Sequence, residues 1–226
     1  MPKALIIAID GPAAAGKSSV AIGLARRLGY KYLDTGALYR AMAWKMIVNM
    51  VDIEVEADVA TQCQSLEVSL SLKEGLTEVW VDGLNATPQL RRPEVSQAAS
   101  RISTYAVVRE KLLSIQRAMA EAGGVVAEGR DVGTVVFPKA DLKFYLDAQI
   151  ETRGKRRHLD LVKAGEKTDP IATTQAIAER DRRDRQRTYA PLKRASDAIL
   201  IDSTFLSEKE VVDRMVHEAM AAGAVP

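Results

Sequence analysis

The chain has 226 residues, 47% of them apolar and 27% charged, with a formal net charge of +2. That length buries one sizeable core with room for a small appended unit, and the composition is that of a folded globular protein. A balance so near neutrality excludes a general attraction to nucleic acid or to a membrane surface, so any bound anion must be met by locally placed arginines.

The first element is the apolar run at 4–9, followed at once by the turn signal Asp10-Gly11-Pro12. At six residues it is too short for a signal-peptide core or a membrane span, and it suits a strand buried on both faces of a parallel sheet. A glycine-rich stretch follows, and then the spacing of Val20, Leu24 and Leu28 predicts a helix over 17–28 that stops at Gly29. A short strand is expected at 30–33 and a second helix at 37–51. Cys63 is the single cysteine, which rules out an internal disulfide and fits a reducing compartment. The rhythm then changes. Residues 66–72 and 77–81 alternate apolar and polar with period two, with turns expected at 73–76 and at Asp82-Gly83. This predicts an antiparallel hairpin in an inserted subdomain over about 58–100, between core segments 1–57 and 101–226. Beyond it, short strands at 124–127, 142–146 and 198–201 alternate with helices at about 107–122, 150–164, 170–187 and 207–222. Strands alternating with helices predict an α/β fold, with right-handed crossovers on a parallel sheet.

Residues Gly11, Pro12, Ala13, Ala14, Ala15, Gly16, Lys17 and Ser18 match G-x-x-x-x-G-K-[ST] without a mismatch, between a buried strand and a helix. Such a loop turns backbone N–H groups and a helix N-terminus towards phosphate oxygens. Lys17 is placed to meet the β- and γ-phosphates of ATP, and the Ser18 hydroxyl to ligate Mg2+. The motif defines a phosphate site rather than a reaction, and the acceptor must be read elsewhere. Thr35 is expected to cap the second helix, with Tyr39 and Arg40 one turn further on, beside the carboxyl ends of the strands where open sheets hold their ligands. Glu128-Gly129-Arg130-Asp131 leaves a buried strand at the same edge. Glu128 could reach the metal through water, and Arg130 could bridge donor and acceptor phosphates. In the charge run 179–187, helical spacing puts Arg180, Asp184 and Arg187 on one stripe with Arg183 nearby, and turns Arg182 and Arg185 towards solvent. Arg153, Arg156 and Arg157 form a second cluster on a helix from about 150, with Gly154 and Gly165 where a lid over 151–185 could move.

Together these pieces resemble the nucleoside monophosphate kinase family, and within it the bacterial cytidylate kinases. The resemblance is carried by the phosphate loop, Asp34 to Arg40, Glu128 to Pro138, Glu179 to Arg185, Ala190-Pro191-Leu192 and Ile201 to Thr204, so it runs nearly end to end. It implies a P-loop fold with a five-stranded parallel sheet flanked by helices, a small inserted monophosphate-binding domain with antiparallel strands, and a helical lid. It implies phosphoryl transfer from ATP to CMP or dCMP, with Mg2+, by a cytoplasmic monomer without nucleic-acid or membrane partners. On the family pattern, residues 11–18 and Ser19 hold ATP, and Lys17, Arg130 and Arg187 are catalytic. Arg40 joins Arg130 and Arg187 on phosphate, Tyr39, Arg180 and Asp184 address the acceptor sugar, and Ser100, Arg109 and Asp131 read the cytosine edge. Thr35 stands where serine is frequent and Glu128 where aspartate is frequent, and each keeps the functional group.

Other readings of a P-loop chain remain at this stage. One is a kinase for another monophosphate or for a non-nucleotide acceptor such as shikimate. A GTPase would need an Asn-Lys-x-Asp specificity motif, which the sequence lacks. A module that merely holds ATP would have no use for the arginine-rich face.

Overall fold

The structure, a computed structural model, describes residues 4–73 and 76–225. Five short strands, β1 (Ile6–Asp10), β2 (Lys31–Asp34), β6 (Val125–Gly129), β7 (Leu142–Asp147) and β8 (Ile199–Asp202), form a parallel sheet in the order β2-β6-β1-β7-β8. Ile7, Ala8 and Ile9 on β1, and Val125, Val126 and Ala127 on β6, are fully buried, as continuous apolar strands covered on both faces must be. Helices α1 (Lys17–Leu28) and α8 (Glu208–Ala221) cover one side, packing Leu24, Leu28, Val212 and Met215 against Phe144 and Ile201. The α/β reading and the five-stranded sheet are as the sequence predicts. β6 runs two residues past the expected end, which makes Glu128 and Gly129 part of the strand.

The middle of the chain forms a second sheet, β3 (Val68–Lys73), β4 (Leu76–Val81) and β5 (Leu84–Asn85), antiparallel throughout. The turn expected at 73–76 has Glu74 and Gly75 outside the described residues. The turn at Asp82-Gly83 is a tight one, with φ of 49° and 74°, and the Asp82 carboxylate accepts from the Glu67 backbone N–H at 2.9 Å. Three features of this region differ from expectation. Helix α2 (Thr35–Val48) begins two residues early, because Asp34 and not Thr35 caps it: the Asp34 carboxylate accepts from the Ala37 N–H at 3.0 Å. Helices α3 (Glu56–Ser65) and α4 (Pro93–Ile102) flank the hairpin where no helix is predicted, so positions 58 and 100 both fall inside helices. Helix α3 buries only Val59 and Cys63, too few apolar residues to show a period. Helix α5 (Ala106–Ala118) follows and stops four residues short of the predicted end. Side chains of α2, α3, α4, α5, β3 and β4 share one apolar cluster around Leu38, Met42, Met46, Val79, Ile102 and Leu112. The hairpin region is thus packed onto α2 and against the edge strand β2, where the Thr77 hydroxyl donates to the Tyr32 carbonyl.

Helices α6 (Ile150–Lys163) and α7 (Pro170–Gln186) pair as a hairpin after β7. Gly154 makes their close crossing possible, since a Cβ there would lie 2.1 Å from Thr174 Oγ1. Among the described residues no helix is long and apolar enough to cross a membrane.

Candidate active site

Strand order decides where the chemistry gathers. With β2, β6 and β1 side by side, the phosphate loop, the Asp34–Arg40 segment and the Glu128–Asp131 segment all leave the sheet at neighbouring carboxyl ends. They line one continuous cleft of roughly 2540 Å³, which also takes in α4, α6 and α7. A pocket for one small ligand is typically about 300–1,000 Å³, so this cleft is open and has room for two nucleotides.

The loop's shape depends on Gly11, where a Cβ would sit 1.9 Å from the Leu146 carbonyl oxygen on β7. Lys17 folds back to donate to the Pro12 carbonyl at 2.6 Å. Its ammonium is pushed well below the usual lysine range, first by burial and then by the Arg130 guanidinium. The Ser18 hydroxyl donates to Glu128 Oε1 at 2.5 Å, and the Tyr32 hydroxyl reaches the same oxygen at 3.2 Å. Burial, and then the nearby Asp34, raise the Glu128 carboxyl above its ordinary range against the pull of Lys17 and Arg130. Among the described residues no three acidic, histidine or cysteine side chains group as a metal cage. A hydroxyl beside one carboxylate suits Mg2+, which keeps its waters and shares phosphate oxygens.

Gly129 lets Thr35 come close: a Cβ would lie 2.4 Å from Thr35 Oγ1, which donates to the Glu128 carbonyl at 2.7 Å. Thr35 therefore ties the first turn of α2 to β6 and does not cap α2. Arg40 pairs with Asp34 at 2.5 Å. Arg130 donates through Nε to Asp184 Oδ2 at 3.0 Å. Asp131 accepts a short bond from Arg109 and a longer one, 3.4 Å, from Arg187. The Arg109 guanidinium lies over the Tyr39 ring, 5.5 Å from its centroid, and burial pushes the Tyr39 hydroxyl up to about 12. Arg180 is brought to the same cluster, its Nε buried without a hydrogen-bond partner among the described residues. Burial, then Arg130, drive its pKa down to about 10. Ser100 accepts from Arg183 at 3.2 Å. Every acceptor-side candidate, Thr35, Tyr39, Arg40, Ser100, Arg109, Arg130, Asp131, Arg180, Asp184 and Arg187, lines the one cleft. So do 13–19 of the loop, whereas Gly11 and Pro12 do not.

The second arginine cluster divides by what its members touch. Arg153 is buried, bonded to Asp181 and to the Ala13 carbonyl at 3.0 Å, and Asp181 also accepts from the Ala13 N–H at 2.9 Å. Arg156 donates to the Ser203 carbonyl at 2.7 Å. Arg157 lines the cleft without a hydrogen bond to any described residue. Arg182 pairs with Glu179 at the surface, as its helical position predicts. Sequence reasoning missed Asp10, Tyr32, Ser103 and Asp181. Asp10 holds the Val132 and Gly133 N–H groups at 2.7 Å each, and burial pushes its carboxyl up to about 6. Ser103 supplies a carbonyl to Arg109 at 3.2 Å and a hydroxyl to Arg187 at 3.4 Å. Only its spacing one turn from Ser100 could have pointed to it.

A family model described as cytidylate kinase matches residues 7–221. The chain belongs to the cytidylate kinase family. Membership makes it a kinase that draws on ATP and takes a nucleotide as acceptor. The cytidylate kinase of Geobacter sulfurreducens is 46% identical over 213 residues, covering 94% of this chain and 91% of that protein. That of Desulfitobacterium hafniense is 45% identical over 216 residues, covering 96% and 93%. A solved structure of an uncharacterized protein from Eubacterium ventriosum superposes with a TM-score of 0.51 at 12% identity, over 96% of this chain and 99% of that one. That likeness concerns the fold alone.

Proposed function

We propose that the enzyme transfers the γ-phosphoryl group of ATP directly to CMP or dCMP, giving ADP and the diphosphate. An acceptor phosphate oxygen attacks the γ-phosphorus as the bond to the β–γ bridging oxygen breaks. The attacking oxygen is already anionic, so no general base is needed, and catalysis is positioning plus neutralisation of charge.

The observation that carries the reading is the buried Arg109–Asp131–Arg187 group joined, in one cleft, to a phosphate loop. A carboxylate held between two guanidiniums offers an acceptor and donors together, which suits the amino and carbonyl edge of cytosine. Ser100 completes that edge, and Tyr39 packs beneath Arg109. Arg180 and Asp184 address the sugar, Arg40, Arg130 and Arg187 the phosphates, and the backbone of 11–19 the triphosphate. Mg2+, held by Ser18 and by Glu128 through water, would neutralise charge on the β- and γ-phosphates. Of the three lid arginines, Arg157 is the one left to reach phosphate, since Arg153 and Arg156 are engaged with the loop and with Ser203. We assign α6 and α7 to a lid and the β3–β5 region to the monophosphate-binding insert. The enzyme is taken to be a cytoplasmic monomer with no nucleic-acid partner.

The test is an ADP-release assay with ATP and Mg2+ against CMP, dCMP, UMP, AMP and GMP at equal concentration. Turnover led by CMP and dCMP is expected. Equal turnover with a purine monophosphate, or none with any of the five, overturns the assignment.

A further inference from the structure

Beside the acceptor cluster, on the adjoining face of α7, lies a second cavity of roughly 300 Å³. Its walls carry four arginines, Arg101, Arg182, Arg183 and Arg187, against one lining carboxylate, Glu179. That carboxylate is already taken, accepting two bonds from Arg182 at 2.8 and 3.0 Å. Arg101 meets Glu54 through NH2 at 2.7 Å, yet its Nε is buried without a hydrogen-bond partner. Arg183 donates to a neutral group, the Ser100 hydroxyl. Arg187 reaches across to Asp131 and Ser103 in the main cleft. Positive charge therefore collects in a small pocket beside the acceptor cleft, next to the hydroxyls of Thr104 and Thr188, and Arg182 is the one of its four arginines that does not also line that cleft.

From this arrangement we infer a second anion site, one that takes inorganic phosphate and weakens acceptor binding when filled. The consequence for the acceptor rests on the function proposed above. Guanidiniums match phosphate with paired N–H donors, and hydroxyls serve its remaining oxygens. The cavity lies at the lower end of ligand-pocket sizes, fit for phosphate rather than a nucleotide. Arg101, Glu179, Arg183 and Arg187 line both cavities, so the two sites share groups. A phosphate that recruits Arg183 loosens its hold on Ser100. Coupling of this kind is reciprocal, so CMP in turn weakens phosphate binding.

The test is calorimetric titration of the full chain with inorganic phosphate at fixed ionic strength, alone and after saturation with CMP and a non-hydrolysable ATP analogue. It is repeated with Arg182→Gln, a surface change outside the catalytic cleft, and with Arg101→Gln. The expected result is a phosphate site that persists after saturation and weakens about tenfold or more in each variant. In the wild type, phosphate should raise the KM for CMP about fivefold more than in Arg182→Gln. No phosphate binding beyond the saturated cleft, or equal affinity in wild type and both variants, overturns the inference. The portion of binding lost in Arg182→Gln belongs to this pocket whether or not CMP binds, since Arg182 does not line the main cleft, and a separate CMP titration reports on the acceptor reading. Thermal melts of both variants guard against misfolding, and Arg182, being exposed, is not expected to lower stability.

Discussion

Asp184 is a carboxylate, 3% exposed, set among arginines, and replacing it with asparagine removes one charge at nearly constant volume. Arg130 Nε lies 3.0 Å from one carboxylate oxygen and Arg187 NH1 4.0 Å from the other, while Arg180 also acts on it. Burial alone would raise this carboxyl, but the three guanidiniums outweigh it and hold it below its ordinary range. Breaking a buried pair by removing one partner typically costs about 3–5 kcal/mol. Arg130 keeps the Gly129 carbonyl at 3.2 Å and feels Glu128, so the cost should fall just below that range, at about 2–3 kcal/mol. For a chain of this length each kcal/mol moves Tm by roughly 2–4 °C, so Asp184→Asn should melt about 4–12 °C lower. The loss should be larger without ligand than with it, because CMP supplies the missing negative charge: calorimetry should show a greater CMP-induced rise in Tm for the variant than for the wild type. The pH dependence has a defined sign. A carboxyl whose folded pKa is depressed stabilises the protein above its unfolded value, and that contribution fades as pH falls through the folded value. The gap between wild type and Asp184→Asn should therefore close on acidification below about pH 4. A Tm within about 1 °C of wild type at neutral pH, with the same gain from CMP, would refute the account of Asp184 as the counter-charge of this cluster.

Other perturbations separate the parts of the site. Asp131→Asn removes the carboxylate between Arg109 and Arg187, and kcat/KM for CMP should fall on the order of 100-fold, with a smaller fall for UMP, in the ADP-release assay. Gly11→Ala places a methyl carbon 1.9 Å from the Leu146 carbonyl, so the loop must shift; ATP affinity by calorimetry should drop on the order of 100-fold while CMP affinity holds. The lowered Lys17 should be restored by a triphosphate beside it, so ATP binding at about pH 8 should take up a proton. Calorimetry in buffers of different ionisation enthalpy reads this, and an equal uptake in Lys17→Met would assign the proton elsewhere.

Much of the sheet and of the phosphate loop was legible because their signals are local. A continuous β-branched run, a glycine loop and a helical stripe each occupy a few neighbouring residues, and the strand-edge rule then places whatever follows. The β3–β4 hairpin followed from strict alternation in the same way. The insert's helices were not legible for the opposite reason. Helix α4 carries proline at its first position and an apolar stripe of Val95, Ala98, Ala99 and Ile102, but half of that stripe is alanine, and it gains its burial from packing on α2. The end of α2 shows the same limit. Asp34 and Thr35 are both good caps, and the choice fell to Asp34 because the Thr35 hydroxyl is claimed by the Glu128 carbonyl, a contact spanning 93 positions.

In the charge run of α7, spacing separated Arg180, Asp184 and Arg187 from solvent-facing Arg182, because helical geometry is periodic and needs no partner to be known. Asp181 stands one position from that stripe and reads as one more solvated carboxylate. It is 3% exposed, accepting the Ala13 N–H of the phosphate loop on one oxygen and Arg153 on the other. Arg153 stands beside Arg156 and Arg157 in the sequence, yet it faces the loop while Arg157 lines the cleft. What separates these residues is the crossing of α6 and α7, fixed at Gly154, and no pattern within either helix encodes that crossing. The same crossing gives the clamp its meaning. A buried pair that holds Ala13 by both its N–H and its carbonyl ties the phosphate loop to α6 and α7 at once.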